Sequence, residues 1–284
     1  MTKLIAFIDG SAYAHSVLDH AAWVATTIAA SVDVVHVIGR RDLSSTPFDL
    51  SGSLELGARS SLLKELAEHD AQRAKLAQQR GRLIVDAGVQ RLLQAGAPSA
   101  IGKLRTGDIV EAVQELEKEA DLILIGKRGE AADFAELHLG SNLERVVRTS
   151  TKPVLVASRE FQPVKRFLVA FDGGPSVMKA INHIATGKLF AGLEGHLVTA
   201  GRDTPEARGK LEAAANVLRS AGYTIHTHIE DGEAEKVIAS HAEADHIDLL
   251  VMGAYGHSRI RNLFIGSTTA EMVRSVKRPV MLFR

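Results

Sequence analysis

The sequence predicts an α/β protein made of two tandem copies of one domain, each a five-stranded parallel sheet with helices on both faces. Three sequence blocks recur in the same order in the two halves of the 284-residue chain. The pairs are LIAFIDGS at 4–11 with FLVAFDGG at 167–174, ADLILIGKRG at 120–129 with IDLLVMGAYG at 247–256, and GSNLERVVRTSTKPVLVAS at 140–158 with GSTTAEMVRSVKRPVMLFR at 266–284. Three matched blocks in one order indicate a duplicated domain.

Buried-type apolar runs alternate with helical patterns along the first copy. In chain order the pattern predicts a strand at Leu4–Ile8, a helix at about Ala12–Ala30, a strand at 32–38, a strand within 97–108, a helix at 109–120, a strand at 121–126, a helix at 142–150 and a strand at 153–158. Short continuous apolar runs are typical of strands covered on both faces. Five such strands joined by right-handed helical crossovers give a doubly wound, Rossmann-like layout, in which ligands bind beyond the C-terminal strand ends.

The two copies differ in length. Matching glycines lie 163 residues apart early in the repeat and 127 apart late in it, so the first copy carries 36 extra residues. We place the surplus in an insertion at about 41–95, where a turn-rich loop leads into a helix from about Arg59 to Leu93. The corresponding helix of the second copy is shorter, at about 205–220. A polar segment that contains Pro163 is the predicted linker, which gives domains at 1–160 and 165–284.

Composition excludes several classes of protein. The chain has 34 Lys plus Arg against 34 Asp plus Glu, a balance that argues against nucleic acid or an anionic membrane as the main partner. It has no cysteine, which excludes disulfide scaffolds, thiol nucleophiles and Cys-ligated metals. The first ten residues lack the apolar core of a signal peptide, and no run is long enough to span a membrane. We therefore expect a cytoplasmic protein.

A glycine-rich segment follows the strand predicted at 249–252. It reads GAYGHSRIRNLFIGSTT, a Gly-x2-Gly-x9-Gly-Ser spacing that starts at Gly253 and ends where a helix begins. Glycines allow close approach of the backbone to a ligand, and free N–H groups at a helix start attract phosphate. The loop between the glycines is basic. The contrasting interpretation is that these glycines only shape a loop and that Ser267 only caps a helix.

This spacing, the opening strand that ends in Asp172 and the closing Arg-Pro-Val strand together resemble the universal stress protein family, in its ATP-binding branch. The resemblance covers nearly all of both halves. It implies that the last strands, Pro153–Ala157 and Pro279–Phe283, pair within one molecule as an intramolecular pseudo-dimer. It also implies a stress-response protein that binds ATP with Mg²⁺ bridging phosphate oxygens. Since we find no evident general base or lysine clamp, hydrolysis should be slow at most.

The resemblance implies particular site residues in the second copy. Asp172 would make a polar contact near the nucleotide, Ala200 would contact adenine through its backbone, and Gly253 would lie near the ribose and α-phosphate. The positions implied around the remaining phosphates are Gly256, Gly266, Ser267 and Thr268. No side chain is assigned as catalytic.

The first copy has residues at the matching places but departs from the pattern. They are Asp9, Val37, Gly126, Gly129, Gly140 and Ser141. Ten residues separate Gly129 from Gly140 where the motif has nine, and they include Glu130, Asp133 and Glu136. Because acidic side chains repel phosphate, we expect nucleotide mainly in the second copy. Lys127 and Arg128 partly offset this repulsion.

Three further hypotheses remain open. His226, His228 and Glu230 alternate, so on a strand they share one face and could bind a metal, with His241 and His246 near in sequence. An exposed strand face is the favoured interpretation of this pattern. The second hypothesis is a scaffold or chaperone-like module in which the nucleotide sites have decayed and which binds a lipid or a protein. The third is a homodimer of the pseudo-dimer.

One class of nucleotide-binding protein is excluded by the sequence. No Gly-x4-Gly-Lys-Ser/Thr is present, and P-loop NTPases need this segment to surround the phosphates of their nucleotide. Any ATP bound by this chain must therefore be held by a different arrangement of glycines and helix starts.

Overall fold

The structure, a computed structural model, describes residues 2–39, 56–128, 141–254 and 267–284. The elements of the first half are β1 Lys3–Phe7, α1 Ala14–Ile28, β2 Ser31–Ile38, α2 Leu56–Gln94, β3 Ser99–Thr106, α3 Ile109–Leu116, β4 Leu122–Gly126, α4 Ser141–Thr149 and β5 Val154–Ala157. Those of the second half are β6 Arg166–Ala170, α5 Pro175–Thr186, β7 Glu194–Ala200, α6 Pro205–Ser220, β8 Ile225–Glu230, α7 Ala234–Ala244, β9 Leu249–Gly253, α8 Ser267–Ser275 and β10 Val280–Phe283.

One ten-stranded sheet runs through the molecule. Its order is β3-β2-β1-β4-β5-β10-β9-β6-β7-β8. The strands of the second half therefore follow the same order as those of the first, read from the opposite edge of the sheet. All neighbours within a half are parallel, whereas β5 and β10 pair antiparallel. The predicted fold class, two tandem Rossmann-like domains paired as an intramolecular pseudo-dimer, is confirmed. In each half the direction of strand order changes between the first and fourth strands, where doubly wound folds hold ligands.

Apolar side chains cover both faces of the sheet. Along β1, Leu4 and Ala6 belong to the core on one face, whereas Ile5 and Phe7 belong to the core on the other. Successive side chains of a strand point to opposite faces, so a strand covered by helices on both sides must be apolar at every position. This explains the continuous apolar runs that identify the strands in the sequence. The molecule therefore has three layers, with helices on either side of a central sheet.

Helix α2 is longer than the helix predicted at 59–93 and packs tightly on β2 and β3. A Cβ built on Gly88 would lie 3.0 Å from methyl groups of Ile8 and Val34. A Cβ built on Gly81 would lie 2.7 Å from Leu104. Glycine disfavours a helix interior, yet the helix continues through both positions, as the prediction of a single helix at about 59–93 requires. The two glycines allow its close approach to the sheet.

The seam between the halves is formed by β5 and β10. Val156 pairs with Val280, and Leu155 pairs with Met281. All of these side chains are buried. Residues 158–165, between β5 and β6, form no helix or strand, and the domain limits of 1–160 and 165–284 stay predictions. In the described parts of the chain, no helix is long and apolar enough to cross a membrane.

Candidate functional site

The C-terminal ends of β6, β7 and β9, with the residues that directly follow them, form the second-half rim. At β6 the chain turns within a few residues into α5. The Asp172 carboxylate accepts a hydrogen bond from the Gly174 N–H at 2.8 Å, and Gly173 has a φ of +70°. A left-handed φ favours glycine, which explains the Asp-Gly-Gly sequence at this point. The exposed side chain of Asp172 thus lies beside the start of a helix.

Ala200, the last residue of β7, directs its backbone polar groups towards the place where β6 has ended. The Phe171 N–H donates to the Val198 carbonyl at 2.8 Å, and on the opposite side of β7 the Gly201 N–H donates to the Glu230 carbonyl at 2.8 Å. In a parallel strand, alternate residues direct their N–H and C=O groups to opposite neighbours. The N–H and C=O of Ala200 therefore point to the same side of β7 as those of Val198, towards β6. Because β6 has ended and the chain turns away at Asp172, no strand occupies that side next to Ala200. This arrangement suits hydrogen bonding to a flat polar ligand.

The third strand end of the rim is Gly253, and the first turn of helix α8 contacts it. The Thr269 hydroxyl donates to the Gly253 carbonyl at 3.2 Å, so the first turn of α8 lies against the end of β9. Ser267 and Thr268 are the first two residues of α8 and are described only as helix backbone. Gly256 and Gly266, with the basic loop between them, lie outside the described residues. The structure thus brings Asp172, Ala200 and Gly253 to one rim.

The first half repeats this geometry at the ends of β1, β2 and β4, the first-half rim. The Asp9 carboxylate accepts from the Ser11 N–H at 2.9 Å, as Asp172 does from Gly174. The Ile8 N–H donates to the Val35 carbonyl at 2.9 Å. The backbone N–H and C=O of Val37 therefore point to the side of β2 where β1 has ended, as those of Ala200 do beside β6. Gly126 ends β4, and Ser141 begins α4. Gly129, Gly140 and the acidic residues between them lie outside the described residues.

Two side chains distinguish the first-half rim from the second. A Cβ built on Gly126 would lie 2.8 Å from the Tyr13 Cβ, so Tyr13 packs against the end of β4. The matching residue of the second half is the much smaller Ser176. Lys127 is buried and donates to the Val276 carbonyl, just after α8, where the second half has Ala254. Its ammonium group is therefore engaged across the seam, contrary to our expectation that it offsets the acidic loop.

Sequence reasoning missed three residues at the rims. The Thr199 hydroxyl donates to the Phe171 carbonyl at 3.0 Å, and His36 contacts the Ile8 carbonyl through Nδ1 at 2.9 Å in the matching place. Each ties the second strand of its half to the turn after the first strand. The 163-residue offset pairs these two positions and could have identified them. Lys210 of α6 brings its Cδ atom within 3.9 Å of a Cβ built on Gly173, a proximity that no local pattern shows.

A second group of polar residues lies away from the rim, on the lateral edge of the sheet. His226 and His228 share one face of β8, as their alternation predicts. His226 is exposed and contacts Glu194 through Nε2 at 2.9 Å, whereas His228 is partly buried. His241 of α7 contacts Glu230 through Nε2 at 3.0 Å. The structure adds His196 of β7, which is buried beside them and which the sequence pattern did not identify.

Comparisons with known proteins agree on one family. The model of the universal stress protein family matches residues 1–158 and 190–284. The universal stress protein Slr1230 of Synechocystis sp. is 38% identical over 287 residues, which cover all of both chains. A universal stress protein structure from Archaeoglobus fulgidus covers 99% of this chain and 96% of its own, with a TM-score of 0.72 and 21% identity.

A universal stress protein solved in complex with cAMP also aligns, over 43% of this chain and 98% of its own, with a TM-score of 0.37 and 23% identity. The family match covers most of the chain in two regions, one with all five strands of the first half and one with β7 to β10 of the second. Together with the full-length relative, this match shows the family to which a chain with this repeat and this strand order belongs. The chain belongs to the universal stress protein family, as two tandem domains.

Proposed function

We propose that this protein binds ATP with Mg²⁺ at the second-half rim and acts as a nucleotide-binding protein of the cytoplasmic stress response. The observation that carries the proposal is the backbone of Ala200, whose N–H and C=O face the place vacated by β6, next to the Asp172 carboxylate. An extended backbone offers adenine one donor and one acceptor side by side, which matches the edge of the base. Asp172 supplies a polar contact on the same side of the rim.

The phosphates would lie against the helix starts of the rim. Helix α8 begins at Ser267, directly after Gly266, and its first N–H groups lack partners within the helix. Such N–H groups and the helix dipole favour a negatively charged ligand. We assign Gly253, Gly256, Gly266, Ser267 and Thr268 to this contact. Lys210 also lies beside Gly173, with its ammonium group paired to Glu206 at 2.6 Å.

Mg²⁺ would be held chiefly by the phosphate oxygens of the nucleotide and by water, which is its usual coordination in such sites. When bound, it neutralises phosphate charge. The protein residues at the rim bind and orient the nucleotide, and none of them is assigned as a general base. We therefore propose that hydrolysis is slow at most, and that the output of the protein depends on nucleotide occupancy.

The first-half rim, with Asp9, Val37, Gly126, Gly129, Gly140 and Ser141, is proposed as the weaker site. Tyr13 packs on the end of β4 at Gly126, where the second half has a serine. The buried ammonium of Lys127 is hydrogen-bonded across the seam and does not serve this rim. Acidic residues follow Gly129, whereas His257, Arg259 and Arg261 stand in the matching loop of the second half. All three differences disfavour a triphosphate in the first half.

Calorimetric titration with ATP and Mg²⁺ tests this proposal with a matched pair of variants. Asp172→Ala and Asp9→Ala each remove the carboxylate that accepts the turn N–H in their own half. We expect one nucleotide per chain in the unaltered protein. Asp172→Ala should weaken binding about tenfold, the effect of losing about 1.4 kcal/mol. Asp9→Ala should leave the affinity unchanged, and a Gly256→Val, Gly266→Val double variant should abolish the binding heat.

Two results would contradict the proposal. Absence of both binding heat and a nucleotide-induced thermal shift in the unaltered protein would exclude nucleotide binding. Equal loss of affinity in Asp9→Ala and Asp172→Ala would contradict the assignment to the second half. In the first case a scaffold or chaperone-like module becomes the leading hypothesis. It has support in three exposed leucines of helix α2, Leu63, Leu76 and Leu83, which are 50%, 65% and 71% exposed.

A further inference from the structure

Four histidines and three carboxylates meet under helix α7 at the lateral edge of the second half. We call this group the histidine cluster. Its members are His196, His226, His228, His241, Glu194, Glu230 and Asp245. Even-numbered positions of β7 and β8 point to the face that α7 covers, which brings residues from three elements together. Of its members, only Glu230 reaches the rim, as the register partner of Ala200, and the others lie below it.

The distances within one part of the cluster match those of a metal site. Asp245 Oδ2 lies 3.4 Å from His196 Nδ1 and 3.3 Å from His241 Nδ1. Ligand atoms about 2.1 Å from a tetrahedral Zn²⁺ are about 3.4 Å apart, so these two pairs already have the required separation. The ligand atoms of His196, His228 and Asp245 all lie within 4.8 Å of one another. The 4.8 Å limit exceeds the 3.4 Å of a tetrahedral site by about 1.4 Å at most, and His241 is not a member of this group. The rings of His228 and His241 must therefore rotate to complete the site.

His196 is the residue whose environment most requires a ligand. It is 6% exposed, and neither of its ring nitrogens has a hydrogen-bond partner. Buried polar groups in folded proteins are nearly always paired, because an unpaired one costs about 1–3 kcal/mol. The Asp245 carboxylate approaches Nδ1 without forming a hydrogen bond to it. A metal ion between the two groups would bind both Nδ1 of His196 and the carboxylate of Asp245.

We propose that His196, His228, His241 and Asp245 bind one Zn²⁺ ion in a tetrahedral site. Three imidazoles and one carboxylate suit Zn²⁺, and four protein ligands are typical of a structural site, with no open position for chemistry. Glu230 contacts His241 at Nε2, the nitrogen opposite the proposed ligand atom, and so acts as an orienting outer partner. His226 stays outside the site, paired with Glu194.

The access path agrees with this assignment. His228 and His241 also line a surface cleft of about 600 Å³, through which an ion can enter. Bound Zn²⁺ would tie β7, the edge strand β8 and α7 together, and thereby stabilise the outer part of the second domain.

Metal analysis and a zinc titration of the intact chain test the assignment. After removal of metal with EDTA, ZnCl₂ is added in competition with a chromophoric chelator. We expect one Zn²⁺ per chain, a raised melting temperature, and visible d–d absorption of tetrahedral type when Co²⁺ replaces zinc. His228→Ala and Asp245→Asn should lose stoichiometric binding, and Glu230→Gln should weaken it about 10–100-fold. A His196→Gln variant tests the buried ligand, with folding checked by circular dichroism.

His226→Ala is the matched control, because His226 lies on the same face of the same strand but outside the proposed ligands. It should bind zinc as the unaltered protein does. Loss of binding in His226→Ala with retention in His228→Ala would overturn the assignment in favour of the Glu194, His196 and His226 group. Equal partial losses in all histidine variants would show adsorption to the surface and would also overturn it, as would failure to bind zinc at micromolar concentration. The experiment contains no nucleotide, so its result is independent of ATP binding.

Discussion

The most consequential single-residue difference between the halves is Lys127. Its ammonium group is almost fully buried and donates to the Val276 carbonyl in the other half of the molecule. Burial, with a smaller effect of the nearby Arg128 charge, lowers the pKa of Lys127 from 10.5 to about 8. The second half has Ala254 at this place. The first half therefore carries a buried cation at the end of β4 that its duplicate does not have.

Lys127 should make the stability of the protein depend on pH above neutrality. Because the folded-state pKa lies below the unfolded value, the unfolded chain binds more protons between about pH 8 and pH 10.5, and stability rises with pH in this window. The rise is at most about 1.4 kcal/mol per pH unit. Urea denaturation at pH 7.5 and 9.5 should show a gain in the unaltered protein that Lys127→Met lacks. The same pH dependence in both proteins would contradict a buried, perturbed lysine.

At the scale of the element, helix α2 shows how a glycine can be required inside a helix. Gly88 faces Ile8 and Val34, with 3.0 Å available to a Cβ. Gly209 lies within helix α6 with nothing inside 4 Å of a Cβ. The two glycines share a backbone conformation and differ in what faces them. They form a matched pair for separating packing from helix propensity.

Valine at these two positions should therefore have different effects. Gly88→Val forces helix α2 away from the sheet, and overpacking of this kind costs about 1–3 kcal/mol. Gly209→Val places the same side chain in open space and should change stability by less than about 0.5 kcal/mol. Chemical denaturation of both variants measures the difference. Valine forms a helix at least as readily as glycine. A loss in Gly209→Val as large as that in Gly88→Val would therefore contradict packing against the sheet as the cause.

These elements also show what can and cannot be predicted from sequence. Helix α6 is predicted at about 205–220 and observed at Pro205–Ser220, because a capping threonine and a proline mark its start. Asp172, Ala200 and Gly253 lie at predicted strand ends, and parallel strands end at the same edge of a sheet. By contrast, nothing in the sequence singles out Lys210 or His196, since their surroundings depend on contacts with other elements of the fold. Local patterns carry no information on such contacts.

At the scale of the whole molecule, the pairing of β5 with β10 joins the five strands of each half into one continuous sheet. The side chains of this seam are buried, and Arg284 donates to the Arg148 carbonyl at 2.7 Å across it. Lys179 donates to the Arg284 carbonyl at 2.9 Å, which fixes the last residue against helix α5. The halves should therefore unfold together. For a cooperative unit, the calorimetric and van't Hoff enthalpies agree.

Val156→Pro should break this cooperativity. Proline removes the backbone N–H that Val156 directs towards β10, at a cost of about 3 kcal/mol or more. Calorimetry should then resolve two transitions in place of one. Val156→Ala is the control, because it removes side-chain packing but keeps the backbone hydrogen bond. We expect it to lower the melting temperature with a single transition, and a single transition in Val156→Pro would refute the coupling.

The antiparallel seam has a further consequence for how the two copies can diverge. Strands on its two sides run in opposite directions, so the first-half and second-half rims open at opposite ends of the molecule. In a dimer of identical chains, every substitution at one rim is repeated at the other. Fusion of the two copies removes that constraint, since Tyr13 and Lys127 stand in one half and Ser176 and Ala254 at the matching places of the other. Covalent linkage thus allows one copy to specialise in ligand binding while its sister is released from that task and serves as a structural support.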